Sequence, residues 1–311
     1  MKIAFLISAH TDAEHLKRLI YALPNDAWYY IHVDKKADLD GFKKVVLDGT
    51  SFDSIRKQYH ICFLEERYNI MWGSFKQVRY QMALLKRALQ DQPDYLISIS
   101  GLDYPLWSNE RINTFLKAHQ HENMLQAFCL ADHPEHARLY QEYRFLNEHV
   151  WKYGSLGSKF RVSIRHIVKL LGFRKPLIVK GNNTRRKLYK GGSWWGINRE
   201  LAKEVLLVWE NEPSFCRYFH TAFGPDETFV HTIAFNSRFK DHCIEEDGTH
   251  VRLEDLSPLT YIEYTDEIKV FTATDYDKLI TSGKMFCRKV ITGKSDQLMD
   301  MIDEYRQLTN P

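Results

Sequence analysis

The sequence has little of what would staple or anchor a chain. Its five cysteines, Cys62, Cys129, Cys216, Cys243 and Cys287, are scattered and odd in number, with no Cys-x-x-Cys pair. That excludes a disulfide framework or a zinc ribbon and points to a reducing compartment. No run of about 18 apolar residues occurs, so no membrane-spanning helix is expected. The apolar opening Ile3-Ala4-Phe5-Leu6-Ile7 is too short for a signal core and reads as a first strand. No Gly-x-Gly-x-x-Gly follows that strand and no Gly-x-x-x-x-Gly-Lys-Ser/Thr occurs, which counts against a dinucleotide fold and a P-loop. Repeats, low-complexity tracts and clear linkers are also missing, so a single compact domain over residues 1–311 is expected.

What the chain has is ordinary globular chemistry with two biases. Hydrophobic residues make up 44% and charged residues 27% of 311, enough to bury a core and too apolar for disorder. Aromatics reach 14%, with 7 Trp and 17 Tyr; such flat faces serve sugar rings or core packing equally well. The net charge of +3 hides an asymmetry. Residues 152–190 carry 12 Lys/Arg and no Asp or Glu, so +3 less 12 leaves −9 on the rest. A basic block of this kind is a solvated face, or it binds nucleic acid, an anionic acceptor or a membrane surface. Within it Phe160, Ile164, Ile167, Val168 and Leu171 share one side of a helix expected over 158–171, with Arg161, Arg165 and Lys169 on the rest. That amphipathic pattern favours anionic lipid over nucleic acid. A cytoplasmic protein, peripheral on the inner face of the membrane, is expected.

Hydrophobic period alternates along the N-terminal third. Strands are expected at Ile3–Ile7, Trp28–Val33, His60–Leu64 and Tyr95–Ser100. Helices are expected after a Thr11–Glu14 capping box, around Phe42–Val46, and over 74–90. Such alternation implies an α/β fold: a mostly parallel central sheet with helices on both faces. Further helices are expected near Leu201–Trp209, Asp275–Ser282 and Ser295–Leu308, with a loop over Lys180–Lys190. Ligands of parallel sheets bind beyond the carboxyl ends of the strands. Ser8-Ala9-His10, His32-Val33-Asp34 and Gly101-Leu102-Asp103 fall there. Asp34 is placed to accept a hydrogen bond from a ribose or base, or simply to close a turn. Ala222-Phe223-Gly224-Pro225-Asp226-Glu227 reads as a helix start, Pro and acids suiting its first turn. The alternative is a carboxylate presented in a cleft as a general base.

In order along nearly the whole chain, several of these stretches resemble the core-2/I-branching β-1,6-N-acetylglucosaminyltransferase family, which also contains the peptide O-xylosyltransferases. They are Ile3–His10, Ile31–Asp34, Trp72-Gly73-Ser74, Ser98–Leu106, Gly191-Gly192-Ser193-Trp194-Trp195, Pro225-Asp226-Glu227 and Met285-Phe286-Cys287-Arg288-Lys289. The resemblance, to a bacterial-type member, implies a GT-A-type fold: a nucleotide-sugar-binding half over 1–106, a helical and basic insert over 107–190, and an acceptor and catalytic half over 191–311. It implies inverting transfer from a UDP-sugar, GlcNAc first, to a glycan hydroxyl, with no metal or other cofactor. Glu227 would be the base, and Lys289 with Arg288 would hold the diphosphate. Ser8, Ala9, His10 and Asp34 would hold the nucleotide. Asp103, Trp194, Trp195 and Asp226 would contact the acceptor or sugar. A lipid-linked glycan is the expected acceptor, and no nucleic acid is expected.

Two Asp-x-Asp triplets, Asp38–Asp40 and Asp275–Asp277, lie away from the end of the fourth strand, where a GT-A metal motif would fall. The chain departs from the family twice. Asp266 stands in the neighbourhood where some members carry a second phosphate-binding Arg, leaving Arg252 or Arg288 to replace it. Met71 stands near the place of a donor-contacting Tyr. The alternatives are a xylosyltransferase-like donor, a nucleotide-sugar-binding protein without catalysis, and a metal-dependent nucleotidyl transferase.

Overall fold

A computed structural model describes residues 1–47, 59–149, 151, 152, 154–246 and 255–308. Its centre is a five-stranded sheet built from β1 (Ile3–Ala9), β2 (Trp28–Val33), β3 (His60–Phe63), β4 (Tyr95–Ser100) and β10 (Trp195–Asn198). The order is β10-β4-β1-β2-β3, parallel except for β10. The N-terminal strands lie where hydrophobic period puts them. Alternate residues of β1 feed opposite faces: Ile3, Phe5 and Ile7 pack with Leu16, Leu19 and Ile112, while Ala4 and Leu6 pack with Val78, Met82 and Trp195. Helices therefore cover both faces. Those at Ala13–Ala22 and Asn109–Ala118 lie on the first, and those at Lys76–Gln90 and Arg199–Asn211 on the second.

Two small sheets flank the large one. Strands β5 (Asp103–Pro105), β13 (Phe286–Arg288) and β12 (Thr260–Ile262) form one. Strands β6 (Gln126–Cys129), β9 (Tyr189–Gly191) and β11 (Ile244–Glu245) form the other. A hairpin of β7 (Ile178–Lys180) and β8 (Arg185–Lys187) lies nearby. The loop expected over Lys180–Lys190 is thus mostly strand. The helical insert likewise contains β6 to β9 besides its helices at Pro134–Tyr140 and Leu156–Leu170. The first helix is capped differently from expectation: Asp12, at φ 59°, accepts from the His15 N–H at 3.0 Å. The C-terminal helix Asp296–Leu308 closes the fold onto its beginning. Arg18 pairs with Asp300 and Asp303, and Arg306 donates to the Ala22 carbonyl.

Candidate active site

The carboxyl ends of β1, β2 and β4 stand side by side because the strands are parallel and in register, Ser8 opposite His32 and opposite Ser100. Pairing continues one residue further: Asp34 N–H donates to the Ala9 carbonyl and Gly101 N–H to the Ser8 carbonyl, both at 2.8 Å. Beyond these ends opens a cavity of about 720 Å³. Ser8, Ala9, His10 and Asp34 line one side; Trp194, Asp226, Glu227, Arg288 and Lys289 line the other. Nine of the eleven candidate residues meet there.

The wall at the ends of β1 and β2 is held rigidly. Asp34 accepts from the backbone N–H groups of Lys36 at 2.9 Å and Ile70 at 3.2 Å, tying two loops to the end of β2. His32 is buried beside it, and burial pushes its imidazole down to about 4. The neutral ring accepts the Tyr68 N–H on Nε2 at 3.0 Å and stacks on Tyr80 at 5.1 Å.

The acidic wall differs from expectation in its local form. Pro225–Glu227 is a single 3-10 turn, and the following helix, Phe229–Ala234, has only six residues. Gly224 turns the chain at φ 49°, a left-handed conformation that suits glycine. Its missing side chain also makes room, since a Cβ there would lie 3.0 Å from Glu227 Oε2. The two acids have different surroundings. Asp226 is buried and accepts from Ser193 Oγ at 2.6 Å and Gln77 Nε2 at 3.0 Å. Burial, then the neighbouring Glu227 charge, raises its carboxyl above the ordinary carboxylate range. Glu227 is paired with the Lys190 ammonium at 2.8 Å. Lys190 is itself buried on β9 and donates to the Gly191 carbonyl at 2.5 Å.

The cationic wall comes from sheet register. Antiparallel pairing of β13 with β5 sets Arg288 opposite Asp103, and Arg288 Nη1 lies 3.0 Å from Asp103 Oδ1. Asp103, expected to contact acceptor or sugar, is fully buried behind Arg288 and does not line the cavity. Its other oxygen accepts the Ser100 N–H at 2.9 Å. Burial raises its carboxyl to about 6, outweighing the pull of Arg288. Arg288 keeps a buried Nε–H with no acceptor and sits 4.9 Å over the Trp194 ring. Lys289 has no carboxylate partner among the described residues.

Trp195, also expected at the sugar, is instead wholly buried in the core. Strand alternation is the reason: in β10 and the residue before it, Trp194 turns to the cavity and Trp195 to the helices behind the sheet. Arg252 lies outside the described residues. Among the described residues, no three His, Cys, Asp or Glu side chains cluster as a metal site. Asp275 is engaged locally, pairing with Lys269 at 2.6 Å and accepting the Thr272 N–H at 3.0 Å.

Sequence reasoning misses Lys190, Gln77 and Tyr80, and takes Ser193 only as part of a motif. Lys190 lies within the basic block, and its place just before Gly191-Gly192-Ser193 is the signal of a separate role. Trp72 was noted only as part of a motif. It stands 79% exposed at the cavity, edge-on to Phe223 at 5.8 Å.

A mainly parallel sheet flanked by helices on both faces, with a cavity beyond its strand ends, is a doubly wound α/β plan, of which the GT-A glycosyltransferase fold is one form. The chain belongs to the Core-2/I-Branching enzyme family, whose family model matches residues 3–279. It is 25% identical over 245 residues to xylosyltransferase 2 of Rattus norvegicus, covering 76% of this chain and 25% of that protein. It is 25% identical over 251 residues to rat xylosyltransferase 1, covering 78% and 26%. It is 24% identical over 251 residues to xylosyltransferase sqv-6 of Caenorhabditis briggsae, covering 78% and 27%. The matched region thus spans about a quarter of these relatives' length. A solved 4-diphosphocytidyl-2C-methyl-D-erythritol synthase from Anaerococcus prevotii is 12% identical, with a TM-score of 0.36 over 82% of this chain and 92% of that one, too slight to argue from. Among the described residues, no helix is long and apolar enough to cross a membrane.

Proposed function

We propose that the chain transfers a sugar from a UDP-linked donor to a hydroxyl of a glycan, inverting the anomeric centre without a metal. The observation that carries this reading is the convergence of Glu227, Arg288 and Lys289 in one cavity beyond the strand ends. As the acceptor oxygen bonds to the anomeric carbon, Glu227 takes its proton. The bond from that carbon to the diphosphate breaks, and UDP leaves with the electron pair. Lys289 and the Arg288 guanidinium stabilise the charge that builds on the diphosphate, the work a metal would otherwise do. Asp103 positions Arg288 from behind, and Lys190 positions Glu227. Ser8, Ala9, His10 and Asp34 hold the nucleotide. Trp194, with Trp72 at the mouth, offers flat faces to sugar rings, and Asp226 braces Ser193 and Gln77 beside them.

GlcNAc is the first donor sugar to test. Xylose is the second, favoured by the names of the relatives. The deciding experiment is a thermal-shift and transfer panel of UDP-GlcNAc, UDP-xylose and other nucleotide sugars, with and without chelator. A bound donor raises the melting temperature. Glu227→Gln should cut turnover by about a hundredfold or more and leave the UDP shift intact. Full turnover in that variant rejects Glu227 as base. Loss of activity with chelator rejects the metal-free reading and favours nucleotidyl transfer. UDP binding with no transfer to any acceptor supports a binding protein instead.

We further propose that the 152–190 region rests on anionic membrane, bringing the site to a lipid-linked acceptor at the inner face. Its support is the helix Leu156–Leu170, where Leu156, Phe160, Ile167 and Leu170 stand exposed within a block of 12 cations. Equal flotation with neutral and anionic liposomes at low salt would sink this.

A further inference from the structure

The helix Leu156–Leu170 is mounted with its apolar side outward. Leu156, Phe160, Ile167 and Leu170 are 55% to 86% exposed, and no residue of the helix is buried. Helical spacing puts Arg161, Arg165 and Lys169 on the opposite side. Arg165 and Lys169 line a second cavity, of about 320 Å³, together with Arg138, Arg144 and Arg174. It shares no residue with the candidate active site.

Positive charge in this cavity is poorly compensated. Among the described residues, Glu142 is the one carboxylate in the lining. It is already engaged by Arg144 at 3.2 Å and Lys169 at 2.8 Å. Arg165 reaches only a neutral amide oxygen, Asn147 Oδ1 at 2.7 Å. The Nε–H groups of Arg144 and Arg165 are both buried with no acceptor. Burial, then the charges of Arg144 and Arg161, pushes Arg165 down to about 10. Lys175 is buried behind Gln141, accepted only by the Tyr218 carbonyl and Thr221 hydroxyl, each at 2.7 Å. Crowded guanidinium groups with unmet donors are the arrangement that a tetrahedral oxyanion satisfies, since each planar fork offers paired N–H bonds to its oxygens.

We propose that this cavity is a phosphoryl-anion site, in which Arg144 and Arg165 hold one phosphate group away from the candidate active site. The group is either a free phosphate or a lipid headgroup. Calorimetric titration of the full chain with inorganic phosphate, and flotation with phosphatidylcholine vesicles with and without phosphatidic acid, test it. Arg144→Gln and Arg165→Gln should each weaken binding by about tenfold or more, because each removes charge-assisted hydrogen bonds. Saturating UDP, which fills the other cavity under the proposed function, should leave this phosphate binding in place. Should these substitutions lower folding in a melt, exposed Arg174→Gln should still weaken binding. Phosphate saturation in the absence of vesicles identifies a soluble ligand. Binding seen only with phosphatidic acid, and reduced by Arg165→Gln, identifies a headgroup. Neither probe binding, or binding unaffected by all three arginine substitutions, overturns the proposal.

Discussion

Gly224 and Lys190 hold the candidate base from two sides, one by what it lacks and the other by charge. A Cβ on Gly224 would touch Glu227 Oε2, and the residue sits in a conformation that L side chains resist. Gly224→Ala should cost about 1 kcal/mol of stability and lower kcat more than it raises KM. A melt and a Michaelis series measure the two effects. Lys190→Met removes the ammonium 2.8 Å from Glu227 and keeps a stem of similar length. Turnover should fall by about ten- to a hundredfold with the UDP-induced thermal shift retained, the loss typical of a mispositioned catalytic group. Equal loss of UDP binding would mean that Lys190 serves the nucleotide pocket. These two residues also mark how far a sequence can be read at this scale. Asp34, Glu227, Arg288 and Lys289 were legible because they recur in collinear motifs. Lys190 was not, because a charge run disguises one cation with a specific partner. Trp195 was misplaced because a Trp-Trp pair on a strand must split between two faces, and the residue types do not say which goes where.

Among the elements, the hydrophobic pattern spoke clearly where one face is buried. Helix Lys76–Gln90 buries Val78, Met82 and Leu85 at the expected spacing, and Met82→Ala should cost about 2–5 kcal/mol through the cavity it leaves. Helix Leu156–Leu170 has the same kind of pattern and the opposite mounting. Phe160→Ser combined with Leu170→Ser should change stability by no more than about 0.5 kcal/mol while reducing capture by anionic vesicles. A large drop in the melting temperature would mean that this apolar side packs against protein. Strand β8 was invisible for a different reason. Arg185-Arg186-Lys187 has no apolar alternation, yet Arg186 is buried against Glu212 at 2.7 Å, a partner 26 positions away. Pairing at that distance has no local signature.

For the molecule as a whole, charge is divided, with 12 cations in one insert and −9 on everything else. Vesicle binding through that insert should weaken steeply as salt rises, because counter-ions screen exposed charge within about 8–10 Å. Stability carries a second whole-molecule signature, through Asp103. Its carboxyl lies at about 6 in the folded protein against an ordinary 3.8, so between those values the folded state holds a proton that the unfolded chain has lost. The contribution is full below the ordinary value and is lost as pH rises through about 6. Melting curves across that interval should show the wild type declining relative to Asp103→Asn, and parallel pH profiles would contradict it.

The register that pairs Arg288 with Asp103 spans 185 positions of sequence, and the same closing segment fastens Thr292 to Asp12 across 280. On a ribosome, β1, β2 and β4 emerge long before Arg288 and Lys289 of the candidate site. Until residue 289 has left the exit tunnel, the nascent chain carries the N-terminal side of the cavity without Arg288 and Lys289. Late closure of so long a loop also slows folding. Nucleotide sugar should therefore act on this protein as a ligand of the finished fold, rescuing completed chains and doing little for stalled ones.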